Sequence, residues 1–278
     1  MAIMVLCGVL LAAGVAMAAG WGGGTFTPPS EGVELTAEET ARRFAWYAAL
    51  GLAGGVIAGI LVIGAGGRLA MRLLAITAGD GAQGRITEAD EIVGRISVDG
   101  TIGFILFNGI FGGIVFSGPY LILRRFLPPG RLGGVAYGLG LLVVLGTTLD
   151  PLRRDNPDFD IVGPGWLAVV VFSALAIAFG VTLAAVMARL SRWLPLIAGE
   201  RRVIVRYLGP AAVSALAFPI TATLAVTCIV TMAATRFRPL VDAVRSRRWV
   251  VAGRVVTLGL VAVTLPHTVS SLIDIATR

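Results

Sequence analysis

Runs of about twenty apolar residues, nearly free of charge, alternate along this chain with short polar connectors. A helix rises 1.5 Å per residue, so a hydrocarbon layer of roughly 30 Å calls for about 20 mostly apolar residues. Seven stretches answer to that length: Met1 to Ala19, Ala45 to Gly66, Thr101 to Leu123, Leu132 to Thr148, Trp166 to Met187, Leu208 to Thr235, and Trp249 to Ile273. Inside a bilayer every backbone N–H and C=O must bond within the protein, which leaves helices or closed barrels. Barrel strands alternate apolar and polar residues, and these runs do not. The pattern predicts an all-α fold, a polytopic transmembrane bundle of six or seven helices.

Residues 1–20 read either as an N-terminal transmembrane helix or as a signal peptide, because Ala16-Met17-Ala18 resembles a small-residue cleavage site while a basic n-region is missing. Residues 21–44 contain three consecutive glycines, Pro28-Pro29 and four glutamates, and predict a flexible loop entering a short helix near Thr36. Thr36 with Glu39 three residues later fits a capping box. Residues 45–278 form the transmembrane helical domain, with polar connectors near 80–100 and 149–165.

Composition supports one membrane domain, since 56% of the 278 residues are hydrophobic and 14% are charged. The net charge of +7 does not point to nucleic acid, because the arginines sit in short connectors where cytoplasmic retention and anionic lipid headgroups account for them. All 23 basic residues are arginine, a bias that reflects a GC-rich genome more than chemistry; a multi-pass protein of a bacterial inner membrane is expected. Cys7 and Cys228 both fall in apolar spans, so no disulfide is expected, and no metal-ligand spacing or cofactor motif occurs.

Arginine counts bear on orientation. With all seven stretches crossing, alternate sides hold 11 and 12 arginines, a tie. Both connectors around Leu208 to Thr235 are basic, and Pro219 within that stretch breaks helical hydrogen bonding. A re-entrant sixth stretch divides the arginines 16 against 7 and puts both termini outside.

Gly51, Gly55 and Gly59 recur every four residues and so share one helix stripe; Gly109 with Gly113 and Gly134 with Gly138 repeat the spacing. Such stripes let backbones approach within lipid, serving packing inside the chain, self-association, or a flexing pore helix. Just beyond, Arg68 and Arg72 share a face of an amphipathic segment. They read as a membrane anchor or as a paired clamp for an anionic lipid or substrate, since guanidiniums offer bidentate donors to phosphate. Gly84-Arg85-Ile86-Thr87 and Gly94-Arg95-Ile96-Ser97 repeat ten residues apart and suggest a small hairpin or extended loop over the bundle. Asp150, Asp155, Asp158 and Asp160 could face a hard cation, but the EF-hand spacing is missing and Arg153 and Arg154 stand ready to pair with them.

The Gly-rich second span running into Gly67-Arg68-Leu69-Ala70-Met71-Arg72, followed by Asp99-Gly100-Thr101, resembles a loosely defined group of uncharacterised membrane proteins from high-GC bacteria. The resemblance covers roughly residues 51–128 and implies no activity.

Catalytic constellations fail. His267 is the single histidine, and Ser270 and Ser271 lie on its own helix without in-line geometry for a dyad. Glu38-Glu39 with Arg43 match the Glu-Glu-x-x-x-Arg element of CAAX-type proteases only formally, because that class needs two histidine motifs. His267 and Asn108 are candidates for an interhelical polar contact or a pathway. The expectation is a non-enzymatic protein of the lipid bilayer, an accessory or assembly subunit joined to other membrane subunits or to itself. The alternative is a small transporter or channel for an uncharged or anionic solute or lipid.

Overall fold

A computed structural model describes residues 1–29, 36–149, 152–197, 201–216, 218–234, 242–243 and 246–278. Asp150 and the Pro219 side chain, and Arg236, Arg238 and Arg245 among the counted arginines, lie outside the described residues. The described chain is helical: α1 (Ala2–Trp21), α2 (Ala37–Thr77), α3 (Val98–Leu123), α4 (Arg131–Val144), α5 (Gly165–Trp193), α6 (Arg201–Leu216), α7 (Phe218–Ala234) and α8 (Arg247–Ala276). Five of these, α1, α2, α3, α5 and α8, are long and apolar enough to cross a membrane. The chain is therefore a helical membrane protein.

Helix ends follow local chemistry. The Thr36 hydroxyl accepts from Glu39 N at 3.2 Å, Ser97 from Gly100 N at 3.1 Å and Ser246 from Trp249 N at 3.2 Å, so each starts a helix as an N-cap. Gly130 precedes α4 with φ of 66°, a left-handed value that suits a residue without Cβ.

Two boundaries differ from the sequence reading. The second span is not confined to Ala45 to Gly66, and the short helix near Thr36 is not separate from it; both belong to α2, which continues through Arg68 and Arg72. The Glu38–Arg42 and Glu39–Arg43 pairs, four residues apart, extend the helix before the apolar part. Strong helix formers from Leu69 to Leu74 extend it after. The fourth stretch stops at Val144 instead of Thr148, where Gly146 N turns back to the Leu141 and Leu142 carbonyls. The sixth stretch falls within α6 and α7, with residue 217 between them outside the described residues.

α5 runs through the middle of the bundle, burying a continuous segment that includes Phe179, Leu183 and Met187 against Leu61 and Val62 of α2. The helices alternate in direction between two ends. At one end lie Trp21, Tyr47, Arg124 and Trp193; at the other lie Met4, Arg72, Thr101 and the connectors 78–97 and 152–164. α5 reaches the first end at Trp193, whose carbonyl accepts from Arg206 of α6 at 2.6 Å. α8 sets out from that same end, with Arg254 Nε donating to the Phe126 carbonyl at 3.2 Å, and finishes at the other, where Arg278 meets Asp160 at 3.2 Å. The segment between α5 and α8 thus leaves and returns at one end.

Candidate functional site

α2 and α3 cross where each relaxes into one wide π-helical turn, Gly59–Gly64 and Ile105–Phe111. The glycines marked in the sequence meet here. A Cβ on Gly55 would lie 2.6 Å from the Gly113 carbonyl oxygen, one on Gly113 would lie 2.7 Å from Gly59 Cα, and Gly59 faces the Gly109 carbonyl directly. Gly51 stands looser, with Leu121 and Ser117 at 3.2 and 3.5 Å. Gly134 and Gly138 of α4 face α5 instead, where a Cβ would come within 2.6 Å of Val181 Cα and 2.7 Å of Ile177 Cα. Gly51 apart, these distances are too short for any side chain, so the backbones are in direct contact.

Beyond this crossing the bundle opens into a cavity of about 1030 Å³ bounded by α2, α3, α4, α5 and the two polar connectors. Arg68, Arg72 and Asn108 all line it, so the structure brings three of the candidate polar residues into one space. The walls are apolar, with Phe104, Phe107, Phe116, Phe172, Leu175 and Phe179 among them. Phe104 and Phe116 stand twelve residues apart on α3, which is about 18 Å along the helix and comparable to one leaflet of a bilayer.

The charge is at one end of the cavity. Arg68 Nη2 donates to Thr101 Oγ1 at 3.2 Å, and its guanidinium lies 5.8 Å from the centre of the Phe104 ring. Arg72 Nη1 donates to the Gly94 carbonyl at 3.1 Å. Both side chains are half-buried, and among the described residues neither is ion-paired with a carboxylate. A guanidinium has five N–H donors, and one on each side chain is engaged by these acceptors. Glu88, Glu91 and Asp158 line the same cavity, Glu88 engaged by Arg153, and the guanidinium N–H groups of Arg68 and Arg72 are the donors in this space suited to an anion.

A polar cover closes this end. Connector 78–97 folds into a small antiparallel turn with paired Ile86 and Ile92, where Thr87 N donates to the Glu91 carbonyl at 2.9 Å and Val93 N to that of Arg85 at 2.9 Å. It is clasped to the second connector. Arg153 Nη2 lies 2.7 Å from Glu88 Oε2, and Glu88 N donates to Asp158 Oδ1 at 2.8 Å. The remaining aspartates are engaged with cations: Asp155 with Arg153 at 3.0 Å and Asp160 with Arg278 at 3.2 Å. Arg154 pairs with Asp274 of α8 at 2.8 Å.

His267 is not among the residues lining the cavity. It is exposed on the outer side of α8, and its side chain has no hydrogen-bond partner among the described residues. The interhelical contacts fall on its neighbours, because successive residues turn by about 100°. Thr268 Oγ1 donates to the Val143 carbonyl at 2.7 Å and Ser271 Oγ to that of Leu152 at 3.4 Å.

Sequence reasoning passed over an aromatic cluster at the opposite end. Trp46 Nε1 donates to the Leu194 carbonyl at 2.6 Å, and Phe26 packs edge-on against Trp46 and stacks parallel to Tyr47. The adjacent Trp46-Tyr47 pair opening an apolar span was the available signal, since such residues favour the membrane interface.

The fold and cavity define a multi-helix membrane protein with an open-sided, largely apolar cavity whose polar end carries arginines and carboxylates. No protein family, curated protein or solved structure matches the chain.

Proposed function

We propose that this is a non-catalytic bacterial inner-membrane protein that holds an anionic amphiphile, its headgroup on Arg68 and Arg72 and its chain along the phenylalanine-lined wall. This is the lipid form of the transporter reading. The observation that carries it is the pairing of two arginines without carboxylate partners, among the described residues, at the polar end of a 1030 Å³ apolar cavity. The volume lies at the upper end of the range for small-molecule sites, about 300–1,000 Å³. A solute channel would call for a polar lining along its length, whereas here Asn108 and Asn156 are the amides of a largely apolar wall.

The test is lipid recovery. The protein extracted in a maltoside detergent should carry close to one anionic phospholipid per chain, and the double variant Arg68→Gln, Arg72→Gln should lose it while still eluting as a folded species. Equal lipid content in both would overturn the assignment.

An accessory or assembly role has one observation in its favour. The most apolar window of α8 buries none of its residues within the chain, leaving side chains such as Val256 and Val263 outward. The glycine stripes favour it less, because Gly55, Gly59, Gly109 and Gly113 face one another inside the chain. A stoichiometric protein partner recovered from native membranes would support that role.

Orientation belongs to the same proposal. With the α6–α7 segment as a same-side excursion, the connectors joined at the Arg124 end carry sixteen of the 23 arginines. That end is assigned to the cytoplasm, and the arginine-tipped cavity to the opposite leaflet.

A further inference from the structure

At the cytoplasmic end a second, smaller pocket of about 220 Å³ lies between the segment after α1, the end of α3 and α5. It has room for roughly seven waters at ~30 Å³ each. Arg124, the residue that ends α3, reaches into its wall. The guanidinium carbon stands 3.6 Å from the centre of the Phe26 ring and 5.6 Å from that of Tyr47, and Nη2 donates to the Tyr47 hydroxyl at 3.3 Å. Its Nε is buried with no hydrogen-bond partner among the described residues.

An orphaned charged donor inside a protein costs more than a satisfied one. Burial pulls the Arg124 guanidinium below the ordinary arginine value, with the Tyr47 oxygen the main opposing influence. Nor is Arg124 alone. Arg131 hydrogen-bonds the Ala19 carbonyl, Arg192 Nε donates to the Ala188 carbonyl at 3.2 Å, and the Arg189 guanidinium lies 6.0 Å from the Trp21 ring. Arg131 lies against Gly22 and Arg192 against Gly24, and both glycines line the pocket. Among the described residues these four arginines have no carboxylate ion pair.

We propose that this pocket is a second anion site, in which Arg124 binds a phosphate group with Arg131 and Arg192 flanking the entrance. It is distinct from the Arg68 and Arg72 cavity, because Tyr47 and Arg68 are 21 residues apart on the continuous helix α2, about 30 Å or one bilayer thickness. A phosphate there neutralises the buried charge and supplies the acceptor that Nε lacks. The phosphate group is the shared chemistry of a lipid headgroup and of a free anion, and the two differ only in what is attached.

The test uses the full chain in maltoside detergent and two probes, inorganic phosphate and dihexanoyl phosphatidic acid, each titrated by calorimetry. Both the wild type and the Arg68→Gln, Arg72→Gln variant should bind a probe saturably, which separates this site from the large cavity. Arg124→Gln should weaken that binding about 10- to 100-fold. Binding of both probes assigns a free phosphate group as sufficient; binding of the lipid alone assigns a headgroup. A second readout needs no variant: phenylglyoxal labelling of Arg124, followed by mass spectrometry, should be slowed by the bound probe. No saturable binding of either probe, or an affinity unchanged by Arg124→Gln with Arg124 labelling unprotected, would overturn the site.

Discussion

Glu88 and Arg153, 65 positions apart in the chain, meet with Nη2 at 2.7 Å from each carboxylate oxygen and join the two polar connectors above the large cavity. Both side chains are partly exposed, so the pair contributes little to global stability. Its consequence is local, because it holds the cover against the mouth of the chamber. Glu88→Gln removes the charge and keeps the shape, and should speed the exchange of a fluorescent anionic lipid several-fold without shifting the melting temperature. High salt should reproduce the effect in the wild type. Unchanged exchange in both experiments would mean that the amphiphile enters from the side of the bundle.

Gly55 and Gly140 offer a matched comparison of glycine in two helices. A methyl on Gly55 would sit 2.6 Å from the Gly113 carbonyl oxygen, whereas one on Gly140 meets nothing within 4 Å. Gly55→Ala should therefore cost about 1–3 kcal/mol through overpacking, and Gly140→Ala should be neutral or gain up to about 1 kcal/mol from helix propensity. Thermal unfolding in detergent reads both. Equal melting temperatures for the two variants would show that the α2–α3 crossing is not held by direct backbone contact.

Tyr207 gives the α6 attachment a pH dependence. Its hydroxyl donates to the Pro195 carbonyl at 2.7 Å, and burial pushes its pKa up to about 12 from the ordinary 10.0. The raised folded value means that the fold favours the protonated phenol. Its contribution is complete below the unfolded pKa near 10 and is lost as the pH rises through about 12. Between about pH 10 and about pH 12 the wild type should lose more thermal stability than Tyr207→Phe, which has no phenol to ionise. Parallel losses would place the Tyr207 hydroxyl in water.

The helical membrane class was legible because lipid imposes one strong constraint, backbone satisfaction over a fixed length, and stretches such as Trp166 to Met187 state it directly. The glycine spacing showed which faces are bare, but not that Gly55 would oppose Gly113 while Gly134 opposed Val181, since pairing is decided by topology. Arg68 and Arg72 were readable as a shared face; the cavity they enter was not, because it is made by phenylalanines from α3 and α5 that are remote in sequence. His267 drew attention as the single histidine, yet burial fell to Thr268 one position on. Rarity of a residue type says nothing about helix rotation. Arg124 was counted only as a connector charge, because the stacking of Phe26 and Tyr47 around it joins three separate segments.

The two topologies make opposite statements about Asp90 and Arg247. In the fold α8 begins at the Arg124 end, while Asp90 lies in the connector at the other end, exposed, with φ of 58°. A seven-crossing chain would put both residues on one side, whereas the same-side excursion of α6 and α7 puts them on opposite sides. The cost of each arrangement differs, since a seven-crossing chain divides its arginines evenly and leaves short basic connectors on the wrong face. In a background without Cys7 and Cys228, Asp90→Cys should react with an impermeant maleimide in intact spheroplasts, and Arg247→Cys only after the membrane is opened. Labelling of both before opening, or of neither, would restore the seventh crossing and move the phosphate pocket and the large cavity into new positions relative to the cytoplasm.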